Sequence, residues 1–454
     1  AQMLNLYFYN KFEYFNSNIN FTNRSTIIDF FNNEKLNQFI TMFKSIQNSL
    51  NINNIDKEIL NYDEKFLQWF VGFTDAEGCF LIKTKNNSEV HFVFQITLHI
   101  DDSAVLFNIR NILGIGIVNI QGQTCSYRLH AFQTIVNILI PIFDKYPLLT
   151  HKQLNYKDWK EGVSLKKVAK EKGYKIDQNT FEKILSLKNG MSNLRTKYDD
   201  YILTSDMVNK YRLLGLVEGD DSFHFTNTRA IFSITQKDKQ ILEAIAIFLQ
   251  NIEISPKYNN LFIPSKTECA ISKNSKAYTL SITNTDVLFQ YIYPFFNKLN
   301  FLSRKGVDFK IWGLGLFLIV HGYYNIPQGK TILLKLSNIM KSKRYFSNVI
   351  DFLELEEIQT LFDIKPIFDI QSGKSHFTLA KEYSLQKGSK KGYKVYIYKD
   401  CIEIPGSPFD SYREGGKAIG LNSVSSIKNY IDTNKIFKGK YTLYSKSISK
   451  SQLD

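Results

Sequence analysis

Cysteine is scarce in this chain of 454 residues, and the few cysteines that it has are widely separated. The four stand at positions 79, 125, 269 and 401, and no two of them form a CxxC pair. This spacing excludes a recognisable zinc knuckle and argues against a disulfide-stapled scaffold.

Long hydrophobic runs are also missing. The richest one, WGLGLFLIVHGYY at 312–324, is shorter than a transmembrane helix and contains a histidine. The first residues, AQMLNLYFYNKFEYFNSNINF, are aromatic and rich in asparagine rather than in arginine and serine. We therefore expect no membrane-spanning segment, no secretory signal and no transit peptide.

Proline is rare, with 9 residues, whereas phenylalanine (36) and tyrosine (26) are abundant, as are asparagine, isoleucine and lysine. This usage is typical of AT-rich coding DNA, such as that of an organellar genome. A hydrophobic content of 44% is enough to build packed cores, and the length of 454 residues predicts two or three domains.

Positive charge exceeds negative charge, since 57 Lys and Arg stand against 43 Asp and Glu, a net charge of +14. An excess of this size indicates a polyanionic partner, with nucleic acid preferred over an anionic membrane surface. An ordinary basic soluble protein is the alternative on charge alone.

An acidic motif occurs twice, as FVGFTDAEGCF (70–80) and LLGLVEGDDSF (213–223). Each copy precedes a β-type run with a similar tetrapeptide, FQIT (94–97) or FSIT (232–235), and then an apolar helical run with a proline near its end. Landmarks in the same order predict two related halves. In each half we expect a helix, a strand pair, a helix, a strand pair and two helices.

Small residues recur four apart in both copies of the motif. Gly72 and Ala76 share one face of the first predicted helix, and Gly215 and Gly219 share one face of the second. Small residues at this spacing let two helix backbones approach closely. We therefore expect these four residues to form an interface between the two motif helices.

Packing the two helices together would bring one carboxylate from each, Glu77 and Asp220, to neighbouring helix ends. Two clustered carboxylates raise each other's pKa unless a cation relieves the repulsion. Hard oxygen ligands with room for water suit Mg²⁺ or another divalent cation, which can activate water and stabilise charge on a phosphodiester. The alternative is a solvated helix C-cap at each acid, with Gly78 in the left-handed conformation. Asp75 and Glu218 are expected to be structural.

Basic residues concentrate in the tail, where residues 371–454 contain 15 Lys and Arg against 7 Asp and Glu. Residues 392–404 are expected to form a strand or hairpin, and residues 411–444 follow the pattern helix, polar turn, helix, strand. This is the spacing of a helix-turn-helix, whose second helix enters a groove of DNA. A helical hairpin that only packs is the alternative. The outward-facing residues of the second helix are predicted to be Ser425, Ser426, Lys428 and Asn429.

The paired motifs resemble those of the LAGLIDADG homing endonucleases and intron maturases, of the monomeric double-motif type found in fungal mitochondrial introns. The resemblance covers about residues 63–345, and the tail at 393–444 is similar to the small helix-turn-helix modules called NUMOD domains. It implies an α+β fold in which two pseudo-symmetric αββαββα units form a β-saddle in the DNA major groove. The expected organisation is an N-terminal extension of unknown role (1–62), a first unit (63–187), a linker (188–209), a second unit (210–345), a second linker (346–391) and a NUMOD-like module (392–446).

The resemblance also implies roles for individual residues. Glu77 and Asp220 would be metal ligands, aided by the carbonyl oxygens of Ala76 and Gly219, and Gln236 would order water near the metal as part of the catalytic set. Double-stranded DNA is the expected partner of a monomeric, mitochondrial protein, with its own intron RNA as a second candidate partner. The expected contacts of the two sheets with nucleic acid are Lys83, Lys85, Arg229 and Lys237.

The sequence departs from the family pattern at several positions. Asp221 takes the place of the usual final glycine of the second motif, and Leu98 stands where the second half has Gln236. A lysine that many active members carry after the last strand of a half is not evident near His130 or Thr283. These departures bear on whether cleavage is retained, because neighbours of metal ligands tune metal sites.

Two functions therefore stay open. The leading hypothesis is a site-specific, Mg²⁺-dependent double-strand DNA endonuclease encoded in an organellar intron. The alternative is an intron RNA maturase, or another RNA- or ribonucleoprotein-associated binding protein, with reduced or lost cleavage. A repressor that acts through the tail alone would leave the repeated motif unexplained.

Overall fold

The computed structural model of the protein describes residues 63–85, 89–171, 176–195, 201, 203–220, 223–253, 261–264, 269–274, 277–340, 355–386, 394–420, 427 and 429–448. The described residues fall into two compact units that divide between His376 and Phe377. The N-terminal extension, Asp221 and three of the four predicted tail contacts (Ser425, Ser426 and Lys428) lie outside the described residues.

The described elements of the first half follow the predicted order of helix, strand pair, helix, strand pair and two helices, and one further helix comes after them. Helix α1 begins after the N-cap Asp63, whose side chain accepts a hydrogen bond from Lys65 N. The elements are α1 (Glu64–Glu77), β1 (Gly78–Lys85), β2 (Glu89–His99), α2 (Ser103–Leu113), β3 (Ile117–Gln121), β4 (Thr124–Leu129), α3 (Ile140–Lys145), α4 (Lys152–Glu171) and α5 (Gln178–Asn189).

The second half repeats this order, and two more helices follow it. Its first helix begins after Asn209, which caps Tyr211 N and Arg212 N. The elements are α6 (Lys210–Gly219), β5 (Phe223–Thr226), β6 (Arg229–Gln236), α7 (Lys239–Gln250), β7 (Ala270–Lys273), β8 (Tyr278–Ile282), α8 (Tyr293–Asn297), α9 (Lys305–Val320), α10 (Pro327–Met340) and α11 (Leu355–Asp363).

Both halves build the same antiparallel sheet. The strand order is β1-β2-β4-β3 in the first half and β5-β6-β8-β7 in the second. Each half also has a π-helical turn, at Ile135–Leu139 in the first and Leu288–Ile292 in the second. The helix that directly follows each turn has proline at its start. Proline disturbs the regular hydrogen bonding of a helix. These repeated features confirm the α+β fold of two pseudo-symmetric units.

Aromatic residues fill the core of each half in matching positions. In the first half Phe80 lies 5.3 Å from Trp159, measured between ring centroids, and in the second half Phe223 lies 5.1 Å from Trp312. Both tryptophans are fully buried. Each sheet therefore packs its inner face against the long helix that follows it.

The structure corrects two sequence-based interpretations. Gly78 has φ −73° and ψ 149°, which is extended backbone, so the left-handed C-cap considered for α1 is wrong. Residues 346–391 are not wholly a linker, because α11 buries Ile358, Leu361 and Phe362 in the main core. Alternation between apolar and acidic residues in this stretch hid the helix.

The C-terminal unit contains a small three-stranded sheet with its own core. Helix α12 (His376–Gln386) spans the division between the units, and then come β9 (Tyr396–Lys399), β10 (Ile402–Glu403), α13 (Tyr412–Ala418) and β11 (Tyr441–Tyr444). The strand order is β10-β9-β11. Ile427 is fully buried. Ile431 bridges to Leu443 of the last strand, and the helix-turn-helix stays a prediction.

None of the helices among the described residues combines the length and the hydropathy needed to cross a bilayer.

Candidate active site

Helices α1 and α6 pack backbone against backbone through two glycines. A Cβ atom on Gly72 would lie 2.0 Å from Arg212 O, and one on Gly215 would lie 2.1 Å from Trp69 O. Real Cβ atoms do not approach an oxygen that closely, so these helices reach this separation only with glycine at both positions.

The C-terminal ends of the two helices also meet. A Cβ atom on Gly219 would lie 2.3 Å from Ala76 Cβ and 3.6 Å from Glu77 Oε1. Thus Gly219, which directly precedes Asp220, lies against the side chain of Glu77. The structure places all four predicted interface residues between the helices and brings both acids to one end of this interface.

The two acids are half-buried and influence each other. Burial raises the pKa of Glu77 from 4.5 to about 7, the charge of Asp220 adds to this rise, and Lys152 and Lys305 oppose it. Asp220 directly follows α6 in an extended conformation. Gln236, at the end of β6, donates from Nε2 to Asp220 Oδ2 at 3.4 Å. The predicted set of Glu77, Asp220 and Gln236 is therefore brought together.

A buried lysine that the sequence analysis missed lies beside Glu77. Lys152 Nζ donates hydrogen bonds to Thr74 O at 2.9 Å and to Ala76 O at 3.2 Å. Burial lowers the pKa of Lys152, although Asp75 and Glu77 favour its charged form. Ala76 O, a predicted metal ligand, thus already accepts one hydrogen bond, and a carbonyl oxygen has a second lone pair.

Lys305 occupies the matching position in the second half, at the first residue of α9. It is 4% exposed, and its charge lowers the pKa of Glu77. The sequence analysis searched for such lysines near His130 and Thr283, which was the wrong place. The signal that could have found them is the parallel between LLTHK (148–152) and FLSRK (301–305).

The second acid of each motif binds the segment that leads to one of these lysines. Asp75 accepts hydrogen bonds from Leu149 N at 2.8 Å and from Thr150 N at 2.9 Å. Glu218 accepts from Leu302 N at 3.0 Å and from Ser303 N at 2.5 Å. Burial raises the pKa of both acids, and the amide bonds act against this rise. These contacts fit the structural role expected for the two acids.

The two halves differ beside the acids. Leu98, near the end of β2, pairs with Cys125, whereas Gln236 at the end of β6 pairs with Tyr278. Leu98 is partly buried against the core. The first half therefore offers an apolar side chain where the second half offers an amide that binds Asp220.

The predicted nucleic-acid contacts that the structure describes are exposed. Lys83 and Lys85 alternate along β1 with the buried Ile82 and the half-buried Thr84, so both lysines are on the outer face of the sheet. Arg229, Lys237 and, in the C-terminal unit, Asn429 are exposed as well.

Further polar side chains that the sequence analysis did not name share the outer faces of the sheets. In the first half Gln95 pairs across strands with Arg128. In the second half Thr235 and Thr279 form a cross-strand pair with 2.9 Å between their hydroxyl oxygens. Arg and Gln are the side chains best suited to read guanine and adenine edges in a major groove.

The residues at the helix ends fit a hard divalent cation. The charge of Asp220 raises the pKa of Glu77, so a shared positive charge would relieve this repulsion, and both carboxylates present oxygen ligands. Across the described ranges no group of three or more His, Cys, Asp or Glu residues is arranged to hold a metal. A cation at Glu77 and Asp220 would thus complete its ligand set with carbonyl oxygens, water or phosphate, as Mg²⁺ commonly does.

Comparison with known proteins gives matches in sequence and in fold. The family model described as LAGLIDADG endonuclease matches residues 70–163. The probable intron-encoded endonuclease Cox1-I1b of Schizosaccharomyces pombe is 31% identical over 292 residues, which cover 60% of this chain and 69% of that protein. The uncharacterized mitochondrial protein RF1 of Saccharomyces cerevisiae is 27% identical over 402 residues, 84% of this chain and 81% of that protein.

Among solved structures, the I-SmaMI LAGLIDADG homing endonuclease bound to cleaved DNA is similar in fold. The alignment has a TM-score of 0.52 and 23% sequence identity, and it covers 64% of this chain and 100% of that one.

Proposed function

This chain belongs to the LAGLIDADG endonuclease family, and we propose that it is a site-specific double-strand DNA endonuclease encoded in an organellar intron. The observation that carries the proposal is the meeting of Glu77 and Asp220 at the packed ends of α1 and α6, where the charge of Asp220 raises the pKa of Glu77 and a cation would relieve the repulsion.

Mg²⁺ or another divalent cation bound by Glu77 and Asp220 would activate water and stabilise the charge that develops on the phosphodiester. The chain's own groups support this chemistry. Lys152 and Lys305 supply positive charge close to the acids, where a phosphate and a leaving oxygen become more negative during hydrolysis. Gln236 donates to Asp220 and fixes the orientation of its carboxylate.

The outer faces of the two sheets are the proposed DNA surface. Lys83, Lys85, Arg229 and Lys237 are exposed, and phosphate contacts of this kind position a protein on the duplex. The pairing of Gln95 with Arg128 offers base-reading groups on the first sheet. We propose that the protein acts as a monomer, because one chain supplies both sheets and both acids. Its proposed location is the mitochondrion.

The intron RNA maturase is the weaker candidate. The relatives whose names state an activity are endonucleases, as in Schizosaccharomyces pombe and Neurospora crassa. The first half has Leu98 at the position where the second half has Gln236, and this difference fits slower cleavage. A cleavage assay measures the rate directly.

A cleavage assay tests the proposal. The substrate is intronless DNA that spans the insertion point of the host intron, with Mg²⁺ present or removed by EDTA. We expect both strands to be cut with Mg²⁺ and neither to be cut in EDTA, and we expect Glu77→Gln and Asp220→Asn to abolish cutting. The exposed Glu182→Gln is the matched control. Cutting that survives in Glu77→Gln, or intron RNA binding with no cutting in any divalent metal, would overturn the proposal.

A further inference from the structure

Two ion pairs connect the halves at matching positions. His151 Nε2 of the first half lies 3.3 Å from Asp238 Oδ2 of the second. Arg304 Nη1 of the second half lies 3.6 Å from Asp101 Oδ2 of the first. In each of these cross-half pairs, His151–Asp238 and Arg304–Asp101, one half provides the cation and the other half provides the acid.

The cations of both pairs are adjacent in sequence to the two site lysines. His151 directly precedes Lys152 at the start of α4, and Arg304 directly precedes Lys305 at the start of α9. A shift of either cation therefore moves the backbone that carries a lysine ammonium group.

The acids of both pairs follow the second strand of the opposite sheet. Asp238 comes two residues after Gln236, the last residue of β6, and Asp101 comes two residues after His99, the last residue of β2. Each cross-half pair thus joins the start of a lysine-bearing helix to the end of the second strand of the opposite sheet.

Each lysine-bearing segment is held from its own half as well. Asp75 binds Leu149 N and Thr150 N just before Lys152, and Glu218 binds the equivalent amides before Lys305. These bonds fix the segment to its own motif helix, and the cross-half pair adds a fixed point on the opposite side of the interface.

The His151 pair is the more buried of the two. Asp238 is 7% exposed, against 37% for the side chain of Asp101. Asp238 Oδ1 caps α7 by accepting from Gln240 N at 2.8 Å, which leaves Oδ2 toward His151. The Tyr201 ring lies 4.7 Å from the His151 ring, and the Tyr201 hydroxyl donates to Leu149 O. Salt screens charges in a partly buried pair such as this one less than it screens charges on the surface.

We propose that the two cross-half pairs are positioning devices, each of which sets one site lysine, so that each pair controls the cutting of one DNA strand. This inference rests on the proposed nuclease function. Its consequence is that loss of one pair turns a double-strand endonuclease into a strand-specific nicking enzyme.

The test measures the cutting of each strand separately. A duplex target with a different fluorophore on each strand is cut in single turnover by the full chain with Mg²⁺. We expect His151→Ala and Asp238→Asn to slow one and the same strand by about tenfold relative to the other. Arg304→Ala and Asp101→Asn are expected to slow the opposite strand. Asn at position 238 retains the capping oxygen, so this variant separates the ion pair from the folding of α7.

Restoration of charge distinguishes positioning from general damage. His151→Arg is expected to keep the wild-type ratio of the two strand rates, because arginine again places a cation opposite Asp238. Equal slowing of both strands in His151→Ala would overturn the proposal.

A second measurement needs no cleavage. Acetylation of lysines on the full chain without DNA, followed by mass spectrometry, reports how accessible each site lysine is. We expect His151→Ala to increase labelling of Lys152 severalfold and to leave Lys305 unchanged, with the reverse in Arg304→Ala. Equal labelling of both lysines in all variants would refute the pairs as positioning devices. If the wild type cuts neither strand, the nuclease proposal fails, and the labelling result alone decides this one.

Discussion

Glu77 is the single residue whose chemistry depends most on its surroundings. Burial raises its pKa from 4.5 to about 7, with Asp220 adding to the rise. Between these two pH values the folded protein binds more protons than the unfolded chain, so the free energy of unfolding falls as pH rises through this window. The loss is about 3 kcal/mol when Glu77 is fully ionised.

A divalent cation should remove this loss, which gives the first prediction. We expect Ca²⁺ or Mg²⁺ to raise the melting temperature clearly at pH 8, where Glu77 is charged, and much less at pH 5. Thermal unfolding with and without the metal at both pH values measures the effect. Glu77→Gln should abolish the difference between the two pH values, and an equal metal effect at pH 5 and pH 8 would contradict the assignment.

The second prediction concerns Lys152, a buried cation that costs desolvation energy. Lys152→Met removes the positive charge that opposes Glu77 and the donor to Thr74 O and Ala76 O. Because removal of one partner of a buried charged group is destabilising, we expect the free energy of unfolding to fall by roughly 3 kcal/mol. We also expect the substitution to lower the cutting of one strand by about a hundredfold. Urea unfolding and strand-resolved cleavage measure the two effects.

Lys160→Met is the control for Lys152→Met, because Lys160 pairs with Asp144 near the surface. Its cutting rate should match the wild type. Cutting by Lys152→Met that is lost only in proportion to the unfolded protein would show that the lysine is structural.

Sequence reasoning at the residue scale found the acids but missed the lysines, for a physical reason. Glu77 and Asp220 lie within short motifs that repeat almost unchanged, and Gln236 follows the repeated FSIT. Lys152 and Lys305 reach the site only because Asp75 and Glu218 fold distant segments back onto the motif helices. Contacts between residues more than 70 positions apart leave no periodic pattern in the chain.

At the scale of elements, the packed helices α1 and α6 position the two acids of the site, Glu77 and Asp220. The close approach at Gly72 and Gly215 determines how far apart the two acids lie. The i, i+4 spacing of small residues made this interface predictable from the sequence, since the spacing itself places both residues on one helix face.

The third prediction tests the close approach of these helices. Gly215→Ala puts a methyl group 2.1 Å from Trp69 O, which the two backbones can accommodate only by moving apart. We expect the free energy of unfolding to fall by roughly 2 kcal/mol, since overpacking commonly costs this much, and cutting to fall with it. Urea unfolding provides the measurement.

Gly190→Ala is the matched control, because the nearest atom to its Cβ would be Leu187 O at 3.5 Å, an ordinary contact distance. A Gly215→Ala protein as stable as Gly190→Ala would mean that α1 and α6 are not packed as closely as described.

Other elements could not be predicted, because tertiary packing decides them. Helix α11 lies in the stretch 351–364, which has five acidic residues, yet Leu361 and Phe362 are buried in the core. In the tail, Ile431 continues the helical spacing but bridges to Leu443 of β11. In both cases a partner far along the chain, rather than local propensity, determines the conformation.

At the scale of the whole molecule, positive charge is distributed unevenly. Residues 377–454, the C-terminal unit, contain 14 Lys and Arg against 7 Asp and Glu, a surplus of half the net charge of +14. The unit has its own core around Val395, Ile397 and Leu443. It is therefore expected to add binding energy through phosphate contacts.

The fourth prediction follows from this charge. Deletion of residues 377–454 should weaken DNA binding by about tenfold at low salt and flatten the dependence of affinity on salt, because fewer counterions are released. Fluorescence anisotropy at several salt concentrations measures both quantities. Lys435→Gln with Lys440→Gln, two exposed positions of the intact unit, should reproduce part of the effect. An unchanged salt dependence after the deletion would exclude a nucleic-acid role for the unit.

The central claim is that two halves of one chain deliver Glu77 and Asp220 to a shared divalent cation. Anomalous X-ray scattering from crystals of the protein with its DNA target and Mn²⁺ tests this most directly. We predict anomalous density within bonding distance of carboxylate oxygens of both Glu77 and Asp220, next to a phosphate of the DNA. Density bound by neither acid, with DNA and Mn²⁺ present elsewhere in the same crystal, would contradict the account.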